Sequence, residues 1–496
     1  MIPLRLNVRW DVSAVLLLVM GALVMCLLWF MPLGNSFWLD ETVIAFLIRN
    51  NFQETIYRAF IISHPVLFTA IEWLMRHLGD SEIVLRLPSV SASVGSLIVL
   101  YRLGSEAIDW EAGVVFACMH LTLMSVAVQA ANARPYAIAL FLEYVSILWL
   151  LRWTRSGKFR HGLLWIAAAV FATYFHHLFI IALGTEFVFA SIVTLHSNVL
   201  RFRDLAWCGF VAGVGLIPAV PQAVMIARQS RLFAWVPTPD WTDLLIALLP
   251  VSALIGVCLI TGFACLNKDW PAWKRPPYAS LTWLGALLLA PILVLFIAAR
   301  AGSVNLFTGR YLLSTTPGCV LLFGWMLRGL EPILVRRMSL TCALLVIGMT
   351  AGKVDGFTSA PNYTRELWRE AVRDAPLSGG MLVYSGHVET RRLDWLQDPE
   401  HWDYLICPVL VYRPGLSPRD AFVIPFEFGS EQRSYIEGVL DGPLRNHNTL
   451  TVIVRMISGS SLWPSWLQNR LAIAGYTKLR SAGYGNIQVD VYERGR

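Results

Sequence analysis

Stretches of some twenty apolar residues recur from residue 12 to about residue 351, and this recurrence leaves the chain few ways to fold. A helix of about 20 residues, at about 1.5 Å each, matches the roughly 30 Å of hydrocarbon in a bilayer. Inside lipid every backbone N–H and C=O must find a partner within the protein, so segments of this kind cross as helices. With 56% hydrophobic and 15% charged residues and a mean hydropathy of +0.57, a soluble globular chain of 496 residues is excluded. The sequence predicts a mainly α, polytopic membrane protein of about eleven transmembrane helices. They fall near 12–32, 84–102, 111–129, 135–151, 162–175, 178–195, 205–225, 242–264, 279–299, 311–328 and 338–351. The first is too long for a signal peptide and has no small-residue cleavage site, which reads as an uncleaved anchor.

Orientation follows from the bias of basic residues toward cytoplasmic turns. Arg102, Arg152, Arg155, Lys158, Arg160, Arg201 and Arg203 all fall on one side if the amino terminus is inside. An odd number of crossings then puts the loop around Asp40 and the whole tail outside the cytosol. Residues 1–351 form the transmembrane domain, with an amphipathic first outer loop at 33–83, and residues 352–496 a soluble extracytoplasmic α/β domain. The tail balances 16 basic against 16 acidic residues, so the net charge of +7 belongs to the membrane part and nucleic-acid binding has no support. Helix-like segments (Tyr363 to Ala375, Trp463 to Ala474) alternate there with apolar runs at 381–384, 449–456 and 487–492. Cys407 is the tail's one cysteine, which rules out a disulfide within it. The other seven, Cys258 and Cys265 among them, lie in or beside apolar segments without zinc-binding spacing.

The first outer loop carries the chemistry. Residues 41–60 have helical apolar spacing that suits an interfacial helix, and residues 65–78 a second, shorter one. Asp40 and Glu41 set two adjacent carboxylates at the membrane surface, where a helix cap is the plainer reading. His64-Pro65, Arg134-Pro135-Tyr136, His176-His177 and Arg310-Tyr311 recur on the same side. Arginines at helix ends also serve as snorkelling anchors, and the histidine pair suits phosphate, a metal ion or a bare interface. Trp110, Trp149, Trp153 and Trp165 read as interfacial aromatics. Glu143 and Glu186 fall inside spans, where an acid is costly. They carry the alternative reading, a transporter or lipid flippase that binds a coupling ion there, although the sequence has no repeated halves.

Four motifs stand in order: W-L-D-E at 38–41, S-H-P-V-L-F at 63–68, G-D-S-E-I-V-L-R-L-P-S at 79–89 and A-N-A-R-P-Y-A-I-A-L at 131–140. Together they resemble the bacterial membrane glycosyltransferases of the family 39 type. These belong to the GT-C superfamily with the protein O-mannosyltransferases and the aminoarabinose lipid A transferase. The resemblance implies a GT-C fold and transfer of a hexosyl or pentosyl group from a polyprenyl-phosphate-linked donor to a glycan, lipid or protein acceptor. The reaction would take place at the outer face of a bacterial cytoplasmic (inner) membrane. Asp40 matches the family's acidic position and is the expected general base. Glu41 is its support or, with His176 and His177, a ligand of a divalent ion (Mg, Mn or Zn). Arg134, Arg310, His64, Tyr136 and Tyr311 are the expected partners of the donor phosphate. The chain departs from the pattern in having Val66 where a second proline is common and Asn132 where an acid is common.

Overall fold

The computed structural model describes residues 12–197, 199–228, 238–248, 278–302, 306–352, 366–417, 420–457 and 462–495. Chain contacts divide these residues into two compact units. One contains 12–33, 86–228 and 238–352, and the other contains Gly34–Leu85 with the tail. The first outer loop, expected as part of the membrane domain, therefore groups with the tail.

In the first unit helices stand at the expected places among the described residues. Six segments are long and apolar enough to cross a membrane: Val12–Gly34, Glu82–Ala107, Tyr136–Ser156, Phe179–His196, Phe202–Arg228 and Thr282–Arg300. Trp110–Leu121, Phe159–Phe175 and Leu312–Arg328 are apolar but shorter. The span expected at 111–129 breaks at Leu123, whose extended backbone separates Trp110–Leu121 from Met124–Ala130. The span expected at 242–264 begins within Trp241–Leu248, and its remainder, with Cys258 and Cys265, lies outside the described residues. All six described cysteines are free.

Small residues set the closest helix crossings, because lipid offers little hydrophobic drive and backbones must touch to gain dispersion energy. A Cβ on Gly104 would run into the backbone of Ala112 and Gly113, and one on Gly113 into the carbonyl of Tyr101. Two tryptophans expected at the interface are core instead. Trp153 and Trp165 are both fully buried and stack with centroids 5.3 Å apart, within a cluster that includes Leu150, Ala169 and Cys208. Arg337 is buried as well. Its Nε and Nη2 pair with Glu111 at 3.1 Å each, the bidentate geometry that makes a buried charge tolerable.

In the second unit the outer loop folds as three short helices. The single interfacial helix expected over 41–60 is two, Leu39–Leu47 and Phe52–Ile61. Asn51 divides them, its side chain accepting the Glu54 N–H at 2.9 Å as an N-cap. The third, Val66–Met75, follows Ser63, a non-glycine residue at φ 59° that turns the chain into His64-Pro65.

The tail forms a five-stranded mixed sheet in the order β2-β1-β3-β5-β4. Its strands are β1 (Gly380–Tyr384), β2 (Ala421–Val423), β3 (Thr449–Arg455), β4 (Tyr476–Tyr484) and β5 (Ile487–Arg494). β1 runs parallel to β2 and β3, while β5 runs antiparallel to β3 and β4. Leu382, Val452, Ile436, Trp463 and Leu467 make its core where helices Ser430–Asp441 and Leu462–Ile473 pack on the sheet. The three apolar runs are β1, β3 and β5, whereas β2 has three residues and β4 is an edge strand with a mostly exposed, polar sequence.

Candidate functional site

The expected site residues fall into two groups, one in each unit. In the second unit Asp40 occupies the first turn of Leu39–Leu47 and is half-buried. The first backbone N–H groups of a helix lack intrahelical acceptors and attract carboxylates. Glu41 supplies one, its Oε2 accepting the Trp38 N–H at 3.2 Å, and its side chain is fully buried. Glu366 supplies another from the tail, accepting the Leu39 N–H at 2.8 Å. Glu366 also takes Trp368 Nε1–H at 3.0 Å and pairs with Arg455 at 2.6 Å. Burial lifts its carboxyl above the ordinary range, and Arg455, Trp368 and the Leu39 N–H pull it back.

Further polar groups of the tail gather at the same helix. Thr42 Oγ1 lies 3.7 Å from Cys407 Sγ, which lies 3.6 Å from His387 Nε2. Tyr404 packs on His387 with ring centroids 5.0 Å apart and donates its hydroxyl to Glu389 Oε1 at 3.1 Å. Burial pushes the His387 imidazole down to about 3, against the pull of the Asp40 charge. The same burial lifts the Glu389 carboxyl, with Asp40 adding to the shift, and lifts the Cys407 thiol far up. His387 is therefore a neutral imidazole and Cys407 a protonated thiol, unsuited to act as a nucleophile. His64, half-buried, is held through its backbone N–H, which donates to the Ala59 carbonyl at 2.8 Å.

In the first unit the structure brings together Arg134, Tyr136, His176, His177, Arg310 and Tyr311. Arg134 is almost buried, and its carbonyl accepts Ser89 Oγ–H at 2.9 Å. Its guanidinium stands 5.5 Å over the Tyr136 ring, and Nη2 donates to the Tyr136 hydroxyl at 3.4 Å. Arg310 stands 5.0 Å over the Tyr311 ring. The His176 ring lies between the tyrosines, with centroids 5.2 Å from Tyr136 and 6.1 Å from Tyr311. Burial first, then His177, Arg134 and Arg310, push His176 down to about 3. Burial also lowers His177, while its hydrogen bond to the Gln222 side chain opposes the shift. Two arginines around two neutral histidines form a positively charged, partly desolvated cluster suited to an anion.

The same surroundings do not fit a divalent cation at His176 and His177, since both guanidinium groups would repel it. Among the described residues no group of three or more His, Cys, Asp or Glu side chains is arranged to hold a metal ion. The third expected ligand, Glu41, is committed to the Trp38 N–H.

Glu143 and Glu186, the basis of the transporter alternative, are both fully buried within the first unit. Glu186 Oε2 accepts Ser146 Oγ–H and Trp165 Nε1–H at 2.7 Å each, while neither Glu143 oxygen has a hydrogen-bond partner. A cavity of about 220 Å³ opens elsewhere, in the second unit, lined by Arg49, Glu82, Arg369 and Tyr412 among others. It includes neither Asp40 nor Glu41, and its arginines are partly committed, Arg49 to the Leu410 carbonyl and Arg369 to Glu82.

Sequence reasoning missed Glu72, Glu366, His387 and Glu389. Glu72 alone gave a signal, as the one charged residue in the apolar segment Val66–Met75. The others lie more than three hundred positions from Asp40 and carry no local motif.

No family model and no curated protein matches the sequence. Among solved structures, the chain is similar to ArnT from Cupriavidus metallidurans bound to undecaprenyl phosphate. The identity is 11%, 96% of this chain and 97% of that one are covered, and the TM-score is 0.56. The Archaeoglobus fulgidus oligosaccharyltransferase tethered to an acceptor peptide is matched more loosely. There the identity is 13% over 98% of this chain and 74% of that one, with a TM-score of 0.46, too loose to argue from. The chain thus shares its fold with that ArnT structure.

Proposed function

We propose that this chain is an integral-membrane glycosyltransferase that moves a sugar from a polyprenyl-phosphate donor to a glycan, lipid or protein acceptor. The observation that supports it most is the Arg134, His176 and Arg310 cluster, an anion site in a chain whose fold is that of a protein crystallised with undecaprenyl phosphate. In this reading Asp40 accepts the proton of the acceptor hydroxyl as its oxygen bonds to the anomeric carbon. The bond from that carbon to the phosphate oxygen breaks, and the polyprenyl phosphate leaves with the electron pair. Arg134 and Arg310 stabilise the charge that develops on it, with His64, Tyr136 and Tyr311 as further hydrogen-bonding partners. Glu41 supports Asp40 by holding the start of its helix. No step in this scheme needs a metal ion.

The reading carries the membrane arrangement with it: eleven crossings, the amino terminus in the cytoplasm, and the Asp40 loop and tail at the outer face of a bacterial cytoplasmic membrane. A polyprenyl chain leaves the bilayer at a cost of about 0.8 kcal/mol per methylene, so its phosphate has to be met at membrane level. The test is mass spectrometry of surface glycans, lipids and proteins from cells with and without the chain, followed by assay of the purified full chain with a polyprenyl-phosphate sugar. Loss of one sugar from one acceptor class, restored by the native chain and not by Asp40→Asn, is the expected result. Identical surface chemistry in both cells overturns the proposal.

A further inference from the structure

We infer that Glu366, held by Arg455 and Trp368, is a positioning residue for Asp40, so that the tail completes the reacting group rather than merely accompanying it. The inference rests on the reading of Asp40 as general base. Its ground is the peptide link next to Asp40. The Leu39 N–H is donated not to a local cap but to a side chain 327 positions away, at 2.8 Å. The carboxylate that takes it is itself immobilised. Glu366 Oε1 meets Arg455 Nε at 2.7 Å and Nη2 at 2.6 Å, and Oε2 is shared between the Leu39 N–H and Trp368 Nε1–H. Four donors and no acceptor meet this carboxyl, as an ionised carboxylate requires, and its side chain is wholly removed from solvent.

The neighbouring donor is tied separately, the Trp38 N–H to Glu41. Two successive amides at the start of the Asp40 helix therefore end on carboxylates, one local and one from the tail. With both anchored, that turn has little freedom to rotate, and the direction of the Asp40 side chain is set by it. Charge contributes as well as placement. Asp40 is followed by Glu41 on its own helix and faced by His387, Glu389, Tyr404 and Cys407 from the tail, and Glu72 faces Glu41. His387 is neutral and Cys407 protonated, so the ionised pair of Glu366 and Arg455 supplies fixed charge close to the start of this helix. Removing the Glu366 charge alone leaves the Arg455 cation behind, which favours ionised Asp40.

The test compares native chain, Asp40→Asn, Glu366→Gln and Glu366→Asp, each as purified full chain, for kcat, donor KM and the pH profile of kcat/KM. Glu366→Gln is expected to lower kcat by about tenfold to a hundredfold, as a small misplacement of a reacting group does, with donor KM held. Its acid limb should move to lower pH. Glu366→Asp keeps the charge but shortens the reach, so kcat should fall while the acid limb stays in place. Should Glu366→Gln fail to fold because it strands Arg455, the double variant Glu366→Gln/Arg455→Gln takes the same measurement without the stranded cation. A folded variant at position 366 with native kcat and an unmoved limb, beside an inactive Asp40→Asn, overturns this inference and leaves Asp40 as base. An Asp40→Asn chain that turns over normally overturns the assignment of Asp40, and the inference about Glu366 with it.

Discussion

Glu72 stands beside Glu41 with both side chains wholly withdrawn from solvent, and only Glu41 has a backbone N–H to hold its charge. Burial, then the Glu41 charge, lifts the Glu72 carboxyl well above the ordinary range. Of these two neighbouring acids, Glu72 is thereby the one whose protonated form the fold favours.

A pH dependence of stability follows, and its sign is set by the direction of that shift. An unfolded Glu titrates near about 4.3, and the folded Glu72 titrates higher, so the fold favours the protonated form. The contribution is complete below the unfolded value and is lost as pH rises through the folded one. The melting temperature of the purified chain in detergent should fall as pH rises above the ordinary carboxylate range, and Glu72→Gln, permanently neutral, should flatten that fall. An unchanged pH slope in Glu72→Gln would mean that Glu72 is ionised in the fold.

Asp40→Asn keeps the shape of the side chain and removes its capacity to take a proton. Loss of a general base typically lowers the rate by about 10²–10⁴, and that is the drop expected in kcat with donor binding preserved. Glu41→Gln should cost less, because the amide oxygen can still accept the Trp38 N–H that the carboxylate now holds at 3.2 Å. If Glu41→Gln proves the more damaged enzyme, the two acids exchange roles.

Much of this was legible from the chain, and what was not has a physical cause. A mostly helical chain with helices long and apolar enough to cross a membrane followed from composition, and residue type and order singled out Asp40, Arg134 and Arg310 as candidates, because a charge at a membrane edge needs a reason. The break at Asn51 was also readable, since Asn followed three residues later by Glu54 is a capping pattern. Glu366 was not, because its hydrogen bond to Leu39 spans 327 positions and exists only once the tail folds. The membership of Trp153 and Trp165 in the core was equally hidden, as an interfacial and a buried tryptophan near a helix end have the same sequence pattern.

Arg310 and Arg134 should show their role in donor kinetics. Each guanidinium lies over a tyrosine ring, at 5.0 and 5.5 Å, and its planar fork matches the oxygens of a phosphate. Lysine keeps the charge but presents a single point donor. Arg310→Lys should therefore raise the donor KM about tenfold, the scale of one charge-assisted hydrogen bond, with the melting temperature nearly unchanged. Native donor kinetics in Arg310→Lys would remove the arginine from the phosphate site.

The membrane arrangement makes a prediction that needs no substrate. Ser156 ends a helix beside Arg152, Arg155 and Lys158, in a turn assigned to the cytoplasm by its charge, and its side chain is exposed. Ser430, the first residue of a helix in the tail, is exposed too, whereas Ser385 is buried and would not report. On a background cleared of the eight native cysteines, Ser430→Cys should react with a membrane-impermeant thiol reagent in cells whose outer barrier has been opened, and Ser156→Cys only after the inner membrane is broken. The reverse pattern would put the tail and the Asp40 loop in the cytosol. A donor sugar displayed at the outer face could not then be the substrate, and a soluble nucleotide sugar would become the better candidate.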